Sequence, residues 1–348
     1  MTAPGRFPVR GRHYCGGAPR VKGVKRLSYL AHGTMDMHDM NMDLPPFTLG
    51  RGLEFSFDAF FLIGSLTGLA LYAWGVLRLR RRGDSWPVGR TVAFTLGVLS
   101  VALMMCTKLN DYGMVMFSVH MVQHMVISML SPILLLLGAP VTLALRALSP
   151  AARGHKGPRE LLLMLLHSRY MKVVTHPVFT IPLFIASLYG LYFTPVFDFL
   201  MESKTGHIAM MVHFLAVGLF FFWPIMGVDP GPHRPGYVMR MLELFIGMPF
   251  HAFFGIALMM ASQPMVKTYA NPPASLGIDP LLDQQWGGGI AWAFSEIPSV
   301  LVLIALVYQW YHSEQRAAKR SDRAEDRSGD QELAAYNAYL ASLQARGQ

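Results

Sequence analysis

The sequence predicts an all-α polytopic membrane protein, a bundle of seven transmembrane helices with its N-terminus outside and its C-terminus in the cytoplasm. Composition is the first observation behind this prediction, because 53% of the 348 residues are apolar and only 15% are charged. Soluble domains carry about 25% charged residues. The second observation is that the apolar residues fall in runs long enough to cross a bilayer. The third is the scarcity of cysteine, Cys15 and Cys106 alone, which excludes a disulfide-rich scaffold.

Each transmembrane helix requires about 20 mostly apolar residues to cross the hydrocarbon core. Seven runs of about this length are present, and each predicts one helix. They lie at 57–78, 90–107, 114–137, 177–194, 207–227, 241–262 and 290–311.

The remaining chain divides into an external tail over 1–56, the seven-helix domain over 57–312 and a charged cytoplasmic tail over 313–348. Residues 159–166 resemble a short interfacial helix. Apolar residues recur at helical spacing near the end of the chain, which predicts a short amphipathic helix in the cytoplasmic tail. These residues are Leu333, Tyr336, Leu340 and Leu343.

The positive charges set the expected orientation, because cytoplasmic loops carry the excess of Lys and Arg. Nineteen basic residues fall in loops and a tail that share one side, whereas the opposite loops hold only Lys108, Lys204 and Lys267. The eight basic residues of the N-terminal tail argue weakly the other way. The same asymmetry accounts for the net charge of +9 without a nucleic-acid partner, and the bilayer itself is the expected surrounding.

Ionisable side chains within transmembrane spans are costly, so each is a candidate functional residue. At a rise of about 1.5 Å per residue, most of these side chains lie about 9–15 Å below the outer face. Their convergence from four helices predicts one site in the outer half of the bundle. The candidates are His120, His124, His207, His213, His251 and Glu296.

Methionines accompany these histidines, and thioether with imidazole is a ligand set that suits Cu(I). Met121 and Met125 each follow a histidine directly, and the external tail contains the string MDMHDMNMD over 35–43. The alternative for each methionine is a flexible core residue, and a single histidine can serve packing alone. The candidate ligands that methionine and the tail string add are Met121, Met125, Met37, His38 and Met40.

Five segments of the chain carry a resemblance to a known family. They are HMVQHMVISMLSPILLLLGAP (120–140), HPVFTIPLFIASLYGLYFTPVFD (176–198), HFLAVGLFFFWPIMGVDPGP (213–232), MPFHAFFGIALM (248–259) and DQQWGGGIAWAFSEIP (283–298).

At these residues the sequence resembles the CtaG-type cytochrome c oxidase assembly factors, over about residues 50–345. The resemblance implies a seven-helix, non-enzymatic protein of the cell membrane that is needed to build the haem–copper oxidase, by delivering copper. The expected partners are the oxidase subunits and an external copper donor protein. His120, His124, His213 and His251 lie in the family-like segments.

Other functions compete with this interpretation. Histidines on facing helices can ligate haem axially, as in a cytochrome b-like or haem-handling protein. A retinal protein requires a buried lysine, and no lysine lies in a predicted span. A transporter requires polar groups along a path to the cytoplasm, and the histidines do not supply them. An assembly scaffold without metal is the remaining alternative.

Overall fold

The computed structural model describes residues 44–152, 155–232 and 235–346. Within these ranges the chain is helical, and it forms no β-strand beyond an isolated bridge between Phe55 and Thr107. The prediction of an all-α protein is therefore confirmed. The Met/His-rich string over 35–43, with Met37, His38 and Met40, lies outside the described residues.

Fourteen α-helices lie in the described residues. They are α1 (Leu49–Gly52), α2 (Ala59–Arg81), α3 (Val88–Met105), α4 (Leu109–Gly113), α5 (Phe117–Met125), α6 (Ser131–Leu137), α7 (Pro140–Ala147), α8 (Pro158–Leu166), α9 (Arg169–Val174), α10 (Pro177–Tyr192), α11 (Val196–Met201), α12 (Lys204–Met226), α13 (Tyr237–Met260) and α14 (Pro280–Arg346). A π-helical segment, Val126–Leu130, joins α5 to α6, and 3₁₀ turns form at Lys267–Tyr269 and Ala274–Leu276.

Six candidate membrane spans lie in the described parts of the chain. They are α2, α3, the run from α5 to α7, α12, α13 and α14. The predicted span 177–194 corresponds to α10, which is apolar but only 16 residues long. The chain leaves the helix at Phe193 and begins α11 directly after Pro195. The apolar run therefore crosses a helix break that hydropathy alone does not reveal.

The C-terminal part of the chain differs from the prediction. The short helix expected over 159–166 is present as α8. However, the separate amphipathic helix expected near Leu333 and Leu343 is instead the last part of α14, which runs for 67 residues without a break. Its charged middle section is rich in good helix formers such as Arg, Glu, Lys and Ala, so helix continues where the apolar pattern stops.

Among the described residues, the buried hydrophobic side chains form a main core, a smaller second core and a third, still smaller cluster. The main core lies among α5, α10, α12, α13 and α14 and contains many aromatic and Met side chains. The second core, named the α2–α3–α7 cluster, lies where these three helices meet. Its members are Tyr72, Val76, Leu79, Trp86, Phe94, Val98, Ala139 and Leu143.

Candidate functional site

The helix that carries two of the candidate histidines is fixed at its start by a side chain from α14. Asp283 accepts hydrogen bonds from the backbone N–H of Phe117 (2.6 Å) and of Ser118 (3.3 Å), and also from the Ser118 hydroxyl. The first N–H groups of a helix have no partner within the helix, and a carboxylate there also complements the helix dipole. Asp283 therefore caps α5 from another part of the chain and sets its position against α14.

A π-helical segment begins two residues after the second of these histidines. Val126–Leu130 adopts this geometry between α5 and α6, and such segments frequently occur at functional sites. Helix α12 packs against the segment at Gly218, where an added Cβ would lie 2.1 Å from the Ser128 carbonyl oxygen. Glycine is therefore required at 218 for α12 to approach this closely.

His120 lies fully buried among aromatic rings and a second histidine. Its Nε2 shares a hydrogen bond of 3.0 Å with the Tyr192 hydroxyl. The ring centroid of His207, in the first turns of α12, lies 6.1 Å away, and those of Phe197 and Tyr269 lie 5.1 and 6.0 Å away. When Nε2 donates to Tyr192, the Nδ1 atom carries the lone pair that a metal ion would use.

His124 and His251 form a second pair, one turn along α5 from the first. Their ring centroids are 6.4 Å apart and their planes differ by 21°. Phe214 lies edge-on to His124 at 4.1 Å, and Phe184 lies 4.9 Å from His251. Two cavities of about 10 Å³ each border His251. The space beside this pair therefore suits a water molecule or a single ion.

We call His120, His124, His207 and His251 the histidine cluster. All four side chains are at least 97% buried, yet each has a ring nitrogen without a hydrogen-bond partner. Buried polar atoms in folded proteins are nearly always paired, so each exception requires an explanation. The unpartnered atoms are Nδ1 of His120, both nitrogens of His124, Nε2 of His207 and Nε2 of His251.

The outer end of the cluster lies among charged and polar groups. One helical turn before His207, the Lys204 Nζ lies 3.5 Å from the buried carboxylate of Asp58. Tyr269, from the loop before α14, closes the same end and donates a 2.8 Å hydrogen bond to the Gly113 carbonyl. Burial raises the pKa of Tyr269 well above its ordinary value, so the hydroxyl stays protonated and remains a donor.

The other candidate residues lie around the cluster. His213 is partly buried, and its Nε2 shares a 2.9 Å hydrogen bond with Ser187, which lines one of the small cavities at His251. Met121 and Met125 are fully buried in the main core. Each follows a cluster histidine by one residue, so it faces about 100° further round α5.

Glu296 is half-buried on α14. The α14 side chains that border His251 are Ser295 and Ser299. A role for Glu296 in tuning the histidines stays a prediction.

Two buried polar residues were missed by the choice of candidates from the sequence. Tyr192 is 2% exposed, hydrogen bonds to His120, and its ring lies 5.6 Å from that of His124, so it joins the two pairs. Glu243 is also 2% exposed, with one carboxylate oxygen unpartnered. Both lie inside predicted spans. Glu243 therefore also qualifies as a candidate by the rule that ionisable side chains within spans are candidate functional residues. A tyrosine in an apolar run gives a weaker signal.

Within the described residues, no three His, Cys, Asp or Glu side chains come together as a site for a metal ion. The cluster consists of two imidazole pairs. Such pairs lack the third ligand typical of hard or tetrahedral metal sites.

The comparison with protein families is decisive for the identity of the chain. The family described as cytochrome c oxidase caa3 assembly factor (Caa3_CtaG) matches residues 70–313. The chain belongs to this family. The resemblance inferred from the sequence segments is therefore confirmed, and the Caa3_CtaG match contains the whole histidine cluster.

This Caa3_CtaG chain is also similar to mycobacterial proteins of greater length. It is 46% identical over 314 residues to an uncharacterized protein of Mycobacterium bovis, covering 87% of this chain and 47% of the relative, with the same figures for one of Mycobacterium tuberculosis. It is 48% identical over 277 residues to an uncharacterized protein of Mycobacterium leprae, covering 78% and 42%. The chain thus spans about half the length of these relatives. No solved structure matches the chain.

Proposed function

We propose that this protein serves assembly of a caa3-type cytochrome c oxidase by carrying Cu(I) through the histidine cluster to the oxidase. Its partners are then the oxidase subunits and an external copper donor protein. The role is one of delivery, without catalysis. Copper is the cargo in this proposal, and the protein binds it only transiently.

The observation that carries the proposal is the set of buried, unpartnered imidazole nitrogens. A metal ion held by two imidazoles, at about 2 Å from each nitrogen, places their ring centroids about 6 Å apart. The two histidine pairs have centroid separations of 6.1 and 6.4 Å. Neutral imidazoles also bind Cu(I) without adding further charge to the membrane interior, and soft metal ions accept such ligands.

The order of the pairs suggests the direction of transfer. His207 and His120 lie nearer the charged residues Asp58 and Lys204, and His124 and His251 lie one turn further along α5. We propose that Cu(I) passes from the first pair to the second by ligand exchange. Met121 and Met125 would serve as nearby soft ligands, and the string at 35–43 would collect copper before it enters.

The membrane arrangement forms part of the proposal. We infer that α10, extended by α11, is a seventh membrane-crossing segment of a protein in the bacterial plasma membrane. The charge asymmetry of the loops supports an external N-terminus and a cytoplasmic C-terminus. The histidine cluster then faces the side from which copper arrives.

Haem is a poor fit to the same histidines. Ligand pockets for molecules of this size measure about 300–1,000 Å³, whereas the cavities that border His251 measure about 10 Å³ each. The alternative to copper transfer is an assembly scaffold that binds no metal.

The decisive experiment measures Cu(I) binding by the purified chain. The full-length protein is purified in detergent without oxygen and titrated with Cu(I) in competition with a chromogenic chelator. We expect the wild type to compete and the double variant His120→Ala/His124→Ala to bind at least about tenfold more weakly, since loss of metal-site groups typically costs this much. His167→Ala, at the exposed position that directly follows α8, is the matched control.

The same variants are then compared in cells grown with limiting copper. The double variant should insert normally but leave the oxidase short of copper, while haem incorporation changes less. Full oxidase activity in the double variant, together with unchanged Cu(I) binding, would establish a metal-free scaffold. A Soret band in the purified wild type would overturn the copper proposal in favour of haem.

A further inference from the structure

A cavity of about 570 Å³ lies apart from the histidine cluster, between the start of α13 and the part of α14 that follows its apolar section. The side chains around it are aromatic, hydroxylic and basic, and none of the described residues that line it is acidic. They are Tyr237, Tyr308, Gln309, His312, Ser313, Arg316, Ala317 and Arg320.

The basic side chains of the cavity form one stripe of α14. His312, Arg316 and Arg320 are spaced by four residues, so they lie one above another on the same face of the helix. Two guanidinium groups on neighbouring turns of one face can both donate N–H groups to a ligand in the cavity. Arg is the side chain best suited to bind phosphate oxygens in this bidentate way.

The opposite wall of the cavity is the first turn of α13. Tyr237 is its first residue, and no side chain caps this helix end. The N-terminal end of a helix favours a negative charge. The cavity therefore combines a helix end with two arginines, and both features favour an anion.

The cavity lies at the boundary between the apolar and the charged parts of α14. Tyr308, Trp310 and Tyr311 mark this boundary, as aromatic residues do at membrane interfaces. On the apolar side, α13 exposes Val238 and Leu242, and α14 exposes Ile304. An anion in the cavity thus has exposed hydrocarbon surface beside it.

We propose that this cavity binds the phosphate of an anionic phospholipid headgroup, with Arg316 and Arg320 as its principal ligands and the acyl chains along the exposed apolar faces of α13 and α14. The shared chemistry is that of a phosphate ester, which a small soluble phosphate compound also presents. The adjoining apolar surface favours the lipid. This site is independent of copper transfer.

The experiment measures lipid binding to the detergent-purified full-length chain by native mass spectrometry. Phosphatidylglycerol is compared with phosphatidylcholine, and inorganic phosphate is added as a competitor in a separate arm. We expect preferential retention of phosphatidylglycerol, reduced about tenfold in Arg316→Gln/Arg320→Gln because two charge-assisted contacts are lost. Arg80→Gln/Arg81→Gln on α2 removes the same charge elsewhere and should bind as the wild type does.

A second variant keeps both arginines. Ser313→Glu puts a negative charge into the cavity, and we expect it to weaken phosphatidylglycerol binding as well. Equal lipid retention by the wild type and both cavity variants would overturn the proposal. Equal loss in the Arg80/Arg81 control would also overturn it, since attraction would then be general. Displacement of the lipid by millimolar inorganic phosphate would identify a soluble phosphate as the ligand and overturn the lipid assignment.

Discussion

Two regions of this protein bury polar groups but differ in whether those groups have hydrogen-bond partners. In and beside the α2–α3–α7 cluster the polar groups are paired. The Tyr72 hydroxyl donates to the Gly138 carbonyl at 2.8 Å and accepts from the Trp86 indole at 3.1 Å. Beside it, Asp229 accepts from Thr142 N–H at 2.8 Å and from the Thr142 hydroxyl at 2.6 Å. In the histidine cluster, by contrast, five ring nitrogens have no hydrogen-bond partner.

The difference separates hydrogen-bonded residues, which position helices, from the residues whose unpartnered atoms are candidate ligands. A buried polar atom without a partner costs roughly 1–3 kcal/mol, so a protein gains nothing in stability by keeping it. Paired groups such as Tyr72 and Asp229 position helices. Unpaired groups such as His124 make no such contact, and under the proposed function a bound Cu(I) ion would pair them. The comparison predicts opposite responses to mutation in the two regions.

The largest loss of stability is expected on the paired side. Asp229→Ala leaves two N–H groups at the start of α7 and the Thr142 hydroxyl without their acceptor. We expect destabilisation of about 3 kcal/mol, because three partly buried donors lose a charged partner at once. Thermal denaturation in detergent measures it, with Asp326→Ala on the exposed end of α14 as the control. An unchanged melting temperature would contradict the assignment of Asp229 as a structural group.

Asp283→Ala should have the next largest effect. It removes the cap that α14 provides to α5, and loss of an N-cap side chain typically costs about 1–2 kcal/mol. Because the cap sets the position of α5, Cu(I) binding should weaken as well. Ser118→Ala removes only the hydroxyl contact and should show a smaller change of both kinds. If Asp283→Ala lowered stability but left copper affinity intact, the cap would not position the histidines.

Tyr192→Phe is expected to cost about 1 kcal/mol, the typical contribution of one hydrogen bond. Its effect on copper should exceed its effect on stability, since partners that orient a ligating imidazole change metal affinity by about tenfold or more. Chelator competition and thermal denaturation of the same preparation separate the two. Tyr72→Phe, which also removes one buried hydroxyl, should alter stability alone.

The smallest change in stability is expected at the histidines themselves. His124→Leu exchanges a ring with two unpartnered nitrogens for an apolar side chain, so stability should stay within about 0.5 kcal/mol of the wild type or rise. Copper binding and oxidase assembly should nevertheless fail. Marked destabilisation without loss of copper binding would show that His124 is a packing residue.

Much of this fold could be predicted from hydropathy, because the bilayer requires long apolar runs and the chain supplies them. The helix break at Phe193–Pro195 could not, since apolar residues continue through it. The length of α14 could not be predicted either, because an exposed charged helix lacks the apolar periodicity from which helices are predicted. The limits of apolar segments are therefore weak evidence for the limits of helices.

The candidate site was predictable in its residues but not in its pairing. The cost of burying imidazoles identified all four histidines of the cluster as candidates, and the structure brings them together as two pairs. Which histidine pairs with which depends on how α5, α12 and α13 pack, and no local pattern contains that information. The hydrogen bond between Ser187 and His213 also depends on how the helices pack. It distinguishes His213 from the histidine cluster, because the Nε2 atom of His213 has a partner.

The π-helical segment implies that the number of residues, and not only their identity, determines the site. A π segment is in effect an α-helix with one residue inserted. Deleting a single residue from Val126–Leu130 would leave an ordinary helix, in which everything before the deletion turns by about 100° relative to everything after it. His120 and His124 would then point away from His207 and His251 while every histidine of the cluster was still encoded.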